Sequence, residues 1–425
     1  MNPISNSSLS SRQLLKLSLL ANAFEWYEFS VYGYLSALIG QLFFDKDPTT
    51  GLLKAFLSLA MGYFARPLGS FYFGMHGDQH GRRYALRLSL LLMAIPTALI
   101  GLLPAYDQGG LLSTGILLCL RVMQGFAAGG ESPGIACYVF EGATQKYKSI
   151  LCSSAAVGPS IGMLLGSGVV SLVMAGYDQE TLLAWAWRIP FLVSIPLSLF
   201  ISYFRSTLPE TPEFANKKYI ESTTLSWKAL TTPLLTAWCI FAWFNAESAI
   251  LKIWMPFYLH HFLGISLSTA NLTNTLVLMS LVPLYLLCGL FAQKWGYKRT
   301  LMLSIIACLV FTLPLFYALQ KYAQFLPLLL IQLGLALIVS SSNGLYVEIV
   351  GNLFSFRNRN LGIGLACTLP ATIIGGTVPF VCTYILHKTE WLLFPAFYMM
   401  GLALLALPFA WYLTSSHTLP YSLNE

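Results

Sequence analysis

Polar and apolar positions along this chain fall in blocks. Stretches such as LRLSLLLMAIPTALIGLLP do not alternate, whereas a membrane strand needs only about 10 residues of alternating polarity. Apolar blocks of roughly 20 residues match helices that cross a bilayer. The pattern predicts twelve spans, at 14–42, 51–74, 84–104, 111–140, 150–176, 186–206, 229–259, 267–292, 300–319, 324–350, 360–386 and 391–414. Most exceed the minimum length, as tilted helices around a cavity do. Prolines inside the spans, including Pro96, Pro196, Pro283 and Pro314, are tolerated where neighbours re-satisfy the backbone, and each reads first as a bend without mechanical duty.

The expected architecture is an all-α membrane protein. It has a polar cytoplasmic N-terminus (1–13), an N-terminal six-helix bundle (14–206), a cytoplasmic linker (207–228), a C-terminal six-helix bundle (229–414) and a cytoplasmic tail (415–425). The first apolar block carries glutamates and is too long for a signal peptide, so it reads as a retained span. Charge placement gives the orientation. With Arg12 and Lys16 inside, the same side receives Arg82, Arg83, Arg87, Lys146, Lys148, Arg205, Lys217, Lys218, Lys228, Lys294, Lys298, Arg299, Arg357 and Arg359. Only Lys46, Lys54, Lys321 and Lys388 fall opposite, a bias that predicts both termini in the cytoplasm.

Internal repetition supports the same division. Gly74-Met-His-Gly-Asp78-Gln-His-Gly81-Arg82-Arg83 follows span 2, and Gly289-Leu-Phe-Ala-Gln293-Lys-Trp-Gly296-Tyr297-Lys298 follows span 8, 215 residues later. Gly158-Pro159 with Gly162 and Gly166 in span 5 is echoed by Pro370 with Gly375 and Gly376 in span 11. Repeated membrane halves are the architecture of secondary transporters.

Composition then removes other classes. With 10% charged and 56% hydrophobic residues, against about 25% charged in a soluble domain, no water-exposed surface can be clothed. The net charge of +7 reflects cytoplasmic loops, and the linker has no aromatic-and-basic pattern for nucleic acid. Eight scattered cysteines form no CxxC pair and read as small hydrophobes. His76 and His80 lie in a turn without an HExxH pattern, so no metal site is expected.

Charges inside the spans are functional candidates because exposing them to lipid costs several kcal/mol. At 100° per residue, Asn22, Glu25, Phe29 and Tyr32 share one side of span 1 with Glu28 at its margin; Arg121, Gln124, Ala128 and Glu131 share a side of span 4. Arg121 offers a planar fork to a carboxylate or pairs with a glutamate. Glu25, Glu28 or Glu131 is a candidate proton carrier, with a structural polar network as the alternative for all four charges. In span 7, Asn245, Ser248 and Lys252 lie on one side, Trp243 and Glu247 on another. Lys252 suits a substrate contact, a salt bridge to Glu247, or a snorkelling lysine. Trp26, Tyr27, Tyr32, Trp243, Trp254 and Tyr258 are candidates for caging an ammonium group. In span 10, Asn343, Tyr346 and Glu348 form a further polar set suited to gating or capping.

The 74–83 turn resembles the loop signature of the major facilitator superfamily. Asn22-Ala-Phe-Glu25-Trp26-Tyr27-Glu28-Phe29-Ser-Val-Tyr32-Gly33, Arg66-Pro67-Leu68-Gly69, Arg121-Val-Met-Gln124-Gly125-Phe-Ala-Ala-Gly129-Gly130-Glu131, Trp187-Arg188-Ile189-Pro190-Phe191 and Leu208-Pro-Glu210-Thr-Pro212-Glu213-Phe214 resemble its metabolite:proton symporter family, which includes proline/betaine transporters and 2-oxoglutarate permeases. That family usually has Asp where Glu28 stands. The second loop lacks its Asp and Arg, Leu353–Arg359 matches only in part, and the sequence ends eleven residues after span 12 without a heptad tail.

The resemblance implies a major-facilitator fold of twelve transmembrane helices in two six-helix bundles, with Asp78, Arg82 and Arg83 gating. It implies a monomer among membrane lipids in a bacterial inner membrane, no enzymatic activity, and no cofactor beyond the proton as coupling ion. The implied partner is a small zwitterionic or anionic metabolite such as proline or betaine. A dicarboxylate or tricarboxylate transporter, a uniporter, a channel and a non-transporting scaffold are the alternatives.

Overall fold

A computed structural model describes residues 10–44, 48–211, 214 and 227–415. Positions 1–9, most of the 207–228 linker, Pro212, Glu213, Lys46, Lys217, Lys218 and the tail beyond 415 lie outside the described residues. Every regular element among the described residues is helical, the state in which a chain in lipid satisfies its own backbone hydrogen bonds. Ten helical stretches are long and apolar enough to span a membrane. Two further helices, α1 (Ser11–Tyr34) and α2 (Pro48–His80), have 24 and 33 residues and carry Glu25, Glu28 and Arg66 within them. They are followed by α3 (Arg82–Leu102), α4 (Tyr106–Gly142), α5 (Lys148–Gly176), α6 (Ser194–Ser206), α7 (Trp227–Ala249), α8 (Leu267–Trp295), α9 (Tyr297–Lys321), α10 (Phe325–Asn343), α11 (Arg359–Pro370) and α12 (Phe394–Ser415).

Two compact units result. The first comprises Met1–Ala143, Gly158–Thr223 and Phe356–Leu365; the second comprises Thr144–Val157, Thr224–Ser355 and Ala366–Glu425. The first unit has an apolar core around Val31, Ile39, Leu117, Trp187 and Phe191, with Phe43 edge-on to Trp187 at 5.5 Å. The glycines of the span 4 motif have a packing cause. A Cβ on Gly125 would stand 1.9 Å from the Gly62 carbonyl oxygen, and one on Gly129 would stand 2.1 Å from that of Arg66. Only glycine lets α2 and α4 approach so closely, and Ser70 uses the approach to donate to the Gly129 carbonyl at 2.5 Å.

In the second unit, α7 continues through a π-helical turn at Ile250–Trp254, a short Met255–Phe257 helix and a second π turn at Tyr258–Phe262. Pro256 explains the first turn. Its missing N–H leaves the Lys252 carbonyl without its ordinary helical donor, and Asn274 of α8 supplies an amide hydrogen at 3.4 Å. Likewise α11 passes through a π turn at Ala371–Gly375 before Val378–Thr389, with Pro379 four residues beyond Gly375.

Candidate functional site

In the first unit, Asn22, Glu25 and Glu28 of α1 and Arg121, Gln124 and Glu131 of α4 are all buried. They form separate clusters. Ser132 donates to Glu25 and lies 3.3 Å from the Asn22 amide oxygen, while the Asn22 amide nitrogen donates to the Ser18 carbonyl at 3.0 Å. Arg66 approaches Glu25 at 4.0 Å with its guanidinium 4.3 Å from the ring centres of both Phe29 and Tyr63, a cation–π arrangement suited to a charge held away from water.

Arg121 donates to Gln124 at 2.6 Å, and Gln124 donates to the Thr97 hydroxyl at 2.6 Å. The Arg121 guanidinium also sits 4.0 Å from the Tyr32 ring centre, and the Tyr32 hydroxyl shares a hydrogen bond with Ser58. Two of its nitrogens, Nε and Nη2, are buried without a hydrogen-bond partner. Glu28 is in the same condition at both carboxyl oxygens. Thr97 stands nearby but gives its hydroxyl hydrogen to the Met93 carbonyl at 3.0 Å.

Glu131 belongs to a different constellation. It accepts from Ser89 at 2.6 Å and from both terminal nitrogens of Arg205, one at 3.0 Å. Arg205 also donates to the Leu86 carbonyl at 2.5 Å. Arg205, counted from the sequence among the cytoplasmic-side charges at the end of span 6, is 1% exposed and paired inside the unit. A basic residue at a helix end reads as a cytoplasmic marker unless its distant acidic partner is known.

In the second unit, Glu247 is wholly buried and accepts from Ser342 and from Asn343, the latter at 2.9 Å. Lys252 does not supply these bonds; its ammonium lies 5.5 Å from the Tyr285 ring centre. Asn245 donates to the Phe241 carbonyl at 2.8 Å, and its amide oxygen faces Gly375, where a Cβ would stand 3.3 Å away. Trp243 is wholly buried against Phe244, with ring centres 5.2 Å apart. Glu348 lies beside Ser149 and Lys148. Several aromatic cage candidates have structural partners: Tyr27 donates to the Pro190 carbonyl at 2.7 Å, Trp254 to Thr383 at 2.9 Å and Tyr258 to the Leu392 carbonyl at 3.0 Å.

The 74–83 turn is built around buried charges. Asp78 accepts from Arg82 at 2.6 Å and from the backbone amides of Asn360 and Leu361, capping the start of α11. Arg82 continues to Glu141 at 2.9 Å, and Glu141 also accepts from Arg359 at 3.1 Å and Thr211 at 2.8 Å. Arg82 is 1% exposed, so its charge is spent on partners inside the unit. Arg83 donates to the Ser206 carbonyl at 2.6 Å, closing the end of α6. Glu210 accepts from the Arg82 and Arg83 amides at 3.1 and 3.2 Å and caps α3. Gly81, at φ +110°, leaves room for that carboxylate, which would be 2.5 Å from a Cβ. Burial pushes both carboxyls up, Asp78 to about 6, against the pull of Arg82 and the amides.

The repeated turn does the same work without charge. Gln293 accepts from the Ser149 amide at 3.0 Å near the start of α5 and donates to the Gln145 carbonyl at 3.0 Å. Gly296 repeats the positive φ of Gly81, at +89°.

Comparison with known proteins places this architecture. A profile for sugar (and other) transporters matches residues 17–225, and one for nucleoside H+ symporters matches 154–383. The chain belongs to the major facilitator superfamily. Members of this superfamily are transporters, not enzymes. The chain is 29% identical over 418 residues to the glycine betaine/proline/ectoine/pipecolic acid transporter OusA of Dickeya dadantii, covering 93% of this chain and 82% of OusA. It is 28% identical over 414 residues to the proline/betaine transporter of Escherichia coli K12, with the same coverages. Among solved structures, the proton:xylose symporter XylE aligns at TM-score 0.78 and 16% identity over 96% of both chains. FucP in the outward conformation aligns at 0.67 and 14%, over 95% of this chain and 99% of FucP. This major facilitator protein therefore has the expected fold, and its polar helices contain functional candidates that the motifs did not single out, Thr97, Ser132 and Arg205, beside Arg66, which opens a motif but was not expected as a site residue.

Proposed function

We propose that this chain is a proton-coupled importer of a small zwitterion such as proline or a betaine, working by alternating access in a bacterial cytoplasmic membrane with both termini inside. The carrying observation is the pair of unsatisfied charges in the first unit: Arg121 with two unpartnered nitrogens and Glu28 with two unpartnered oxygens. A substrate carboxylate satisfies the Arg121 fork. A proton satisfies Glu28, whose bare charge in a dry interior costs several kcal/mol. Glu131 is held by Arg205 and Ser89, and Glu25 by Ser132 with Arg66 nearby. Of the three glutamates, Glu28 is therefore assigned the coupled proton. The proline and betaine in the relatives' names support the substrate class.

A second reading, transport of a dicarboxylate, is favoured by Lys252, a cation within a membrane helix of the second unit. Competition binding separates the two. Proline and glycine betaine should displace a labelled zwitterion from the purified protein; preferential displacement by 2-oxoglutarate or citrate would overturn the first reading in favour of the second.

A further inference from the structure

Glu247 is a buried acid that the mechanism above does not use. Both of its donors, Ser342 and Asn343, reach the same oxygen, Oε1, while Oε2 is buried with no hydrogen-bond partner. That is the pattern of a carboxylic acid, whose carbonyl oxygen accepts while the other oxygen carries hydrogen. A carboxylate there would leave a charged oxygen dry. The charged or titratable groups facing it are Lys252 on the same helical run, Tyr285 on α8 and Cys308 on α9; α10 contributes the neutral Ser342 and Asn343. Tyr285 is wholly buried with its hydroxyl unpartnered, and the Lys252 ammonium lies over its ring. Lys252 also sits in the π turn that Pro256 leaves short of a backbone bond, a kind of turn found frequently at functional sites.

We infer that Glu247 is a second proton-binding carboxyl, for which the proton and the Lys252 ammonium compete, and that each transport cycle moves two protons with the substrate. The inference rests on the proton-coupled reading above. When Lys252 pairs with Glu247 the proton leaves; when Lys252 returns to the Tyr285 ring the acid takes a proton again. Without Lys252, Glu247 stays protonated throughout and only one proton moves.

The test is the voltage that stops net flux of a zwitterionic substrate against a tenfold gradient, without a pH gradient, in proteoliposomes. Two protons give about 30 mV and one proton about 59 mV. The wild-type protein is expected near 30 mV, Glu247→Gln and Lys252→Gln near 59 mV, and Glu247→Asp near 30 mV. Lys252→Gln keeps the test open where Glu247→Gln does not fold. A wild-type value near 59 mV, or variants that stay near 30 mV, would overturn the inference while leaving proton coupling intact. Flux indifferent to voltage and pH in the wild-type protein would overturn the proton-coupled reading itself.

Discussion

Replacing Arg205 with methionine strips Glu131 of both guanidinium hydrogen bonds and leaves it, wholly buried, with the Ser89 hydroxyl at 2.6 Å. The Leu86 carbonyl also loses its donor from Arg205. Breaking a buried pair by removing one partner costs about 3–5 kcal/mol, because the remaining charge is uncompensated. The Ser89 hydroxyl still donates to Glu131, so the lower part of the range, about 3 kcal/mol, is expected. Removing both charges behaves differently: Glu131→Gln with Arg205→Met should recover stability to within about 1 kcal/mol of the wild-type protein, since a buried pair replaced as a whole is often neutral. Reversible unfolding in mixed detergent micelles gives the free energies of the wild-type protein, the single variant and the double variant, and uptake in proteoliposomes gives function. The folded double variant should transport normally, because neither residue bonds to Arg121 or Glu28. Arg205→Met within 1 kcal/mol of wild type, or a double variant as unstable as the single, would refute the reasoning.

Three further outcomes follow from the geometry. Gly125→Ala puts a methyl 1.9 Å from the Gly62 carbonyl oxygen, so it should cost about 1–3 kcal/mol or more, whereas Gly168→Ala, which meets nothing within 4 Å, should be near neutral by thermal unfolding. Asp78→Asn weakens a charge-assisted cap and should cost about 1.5–3 kcal/mol, against about 1 kcal/mol for Gln293→Ala at the repeated turn; equal losses would argue against the asymmetry of the two turns. Arg121→Lys keeps charge but loses the fork, and losing one charge-assisted bond of about 1.5–3 kcal/mol should weaken substrate binding about 10- to 150-fold at unchanged folded yield. Substrate binding and uptake equal to wild type would contradict a direct role for Arg121.

The fold was legible because bilayer length and apolar continuity leave a chain few alternatives. The repeat 215 residues apart disclosed the two turns, and Gly81 and Gly296, at matching places in it, both have positive φ. Burial of Glu25, Glu28 and Arg121 followed from the cost of charge in lipid. Pairing did not. Glu131 and Arg205 lie 74 residues apart, beyond the reach of helical periodicity, so the side shared by Arg121 and Glu131 suggested one cluster where the protein builds two. The role of Gln293 was hidden for a related reason: the repeat showed a missing acid, while its amide side chain satisfies a helix start without needing the charge. The π turns at Lys252 and Gly375 leave no compositional mark beyond the prolines that follow them.

The most direct test of the central claim is substrate accumulation in proteoliposomes under an imposed inward proton gradient, comparing the wild-type protein with Glu28→Gln. The account predicts that wild-type protein concentrates proline or glycine betaine and loses that ability when the gradient is collapsed. Glu28→Gln should still bind and exchange substrate but no longer accumulate it. Full gradient-driven accumulation by Glu28→Gln would contradict the assigned carrier, and wild-type uptake indifferent to both pH gradient and voltage would contradict proton-coupled transport.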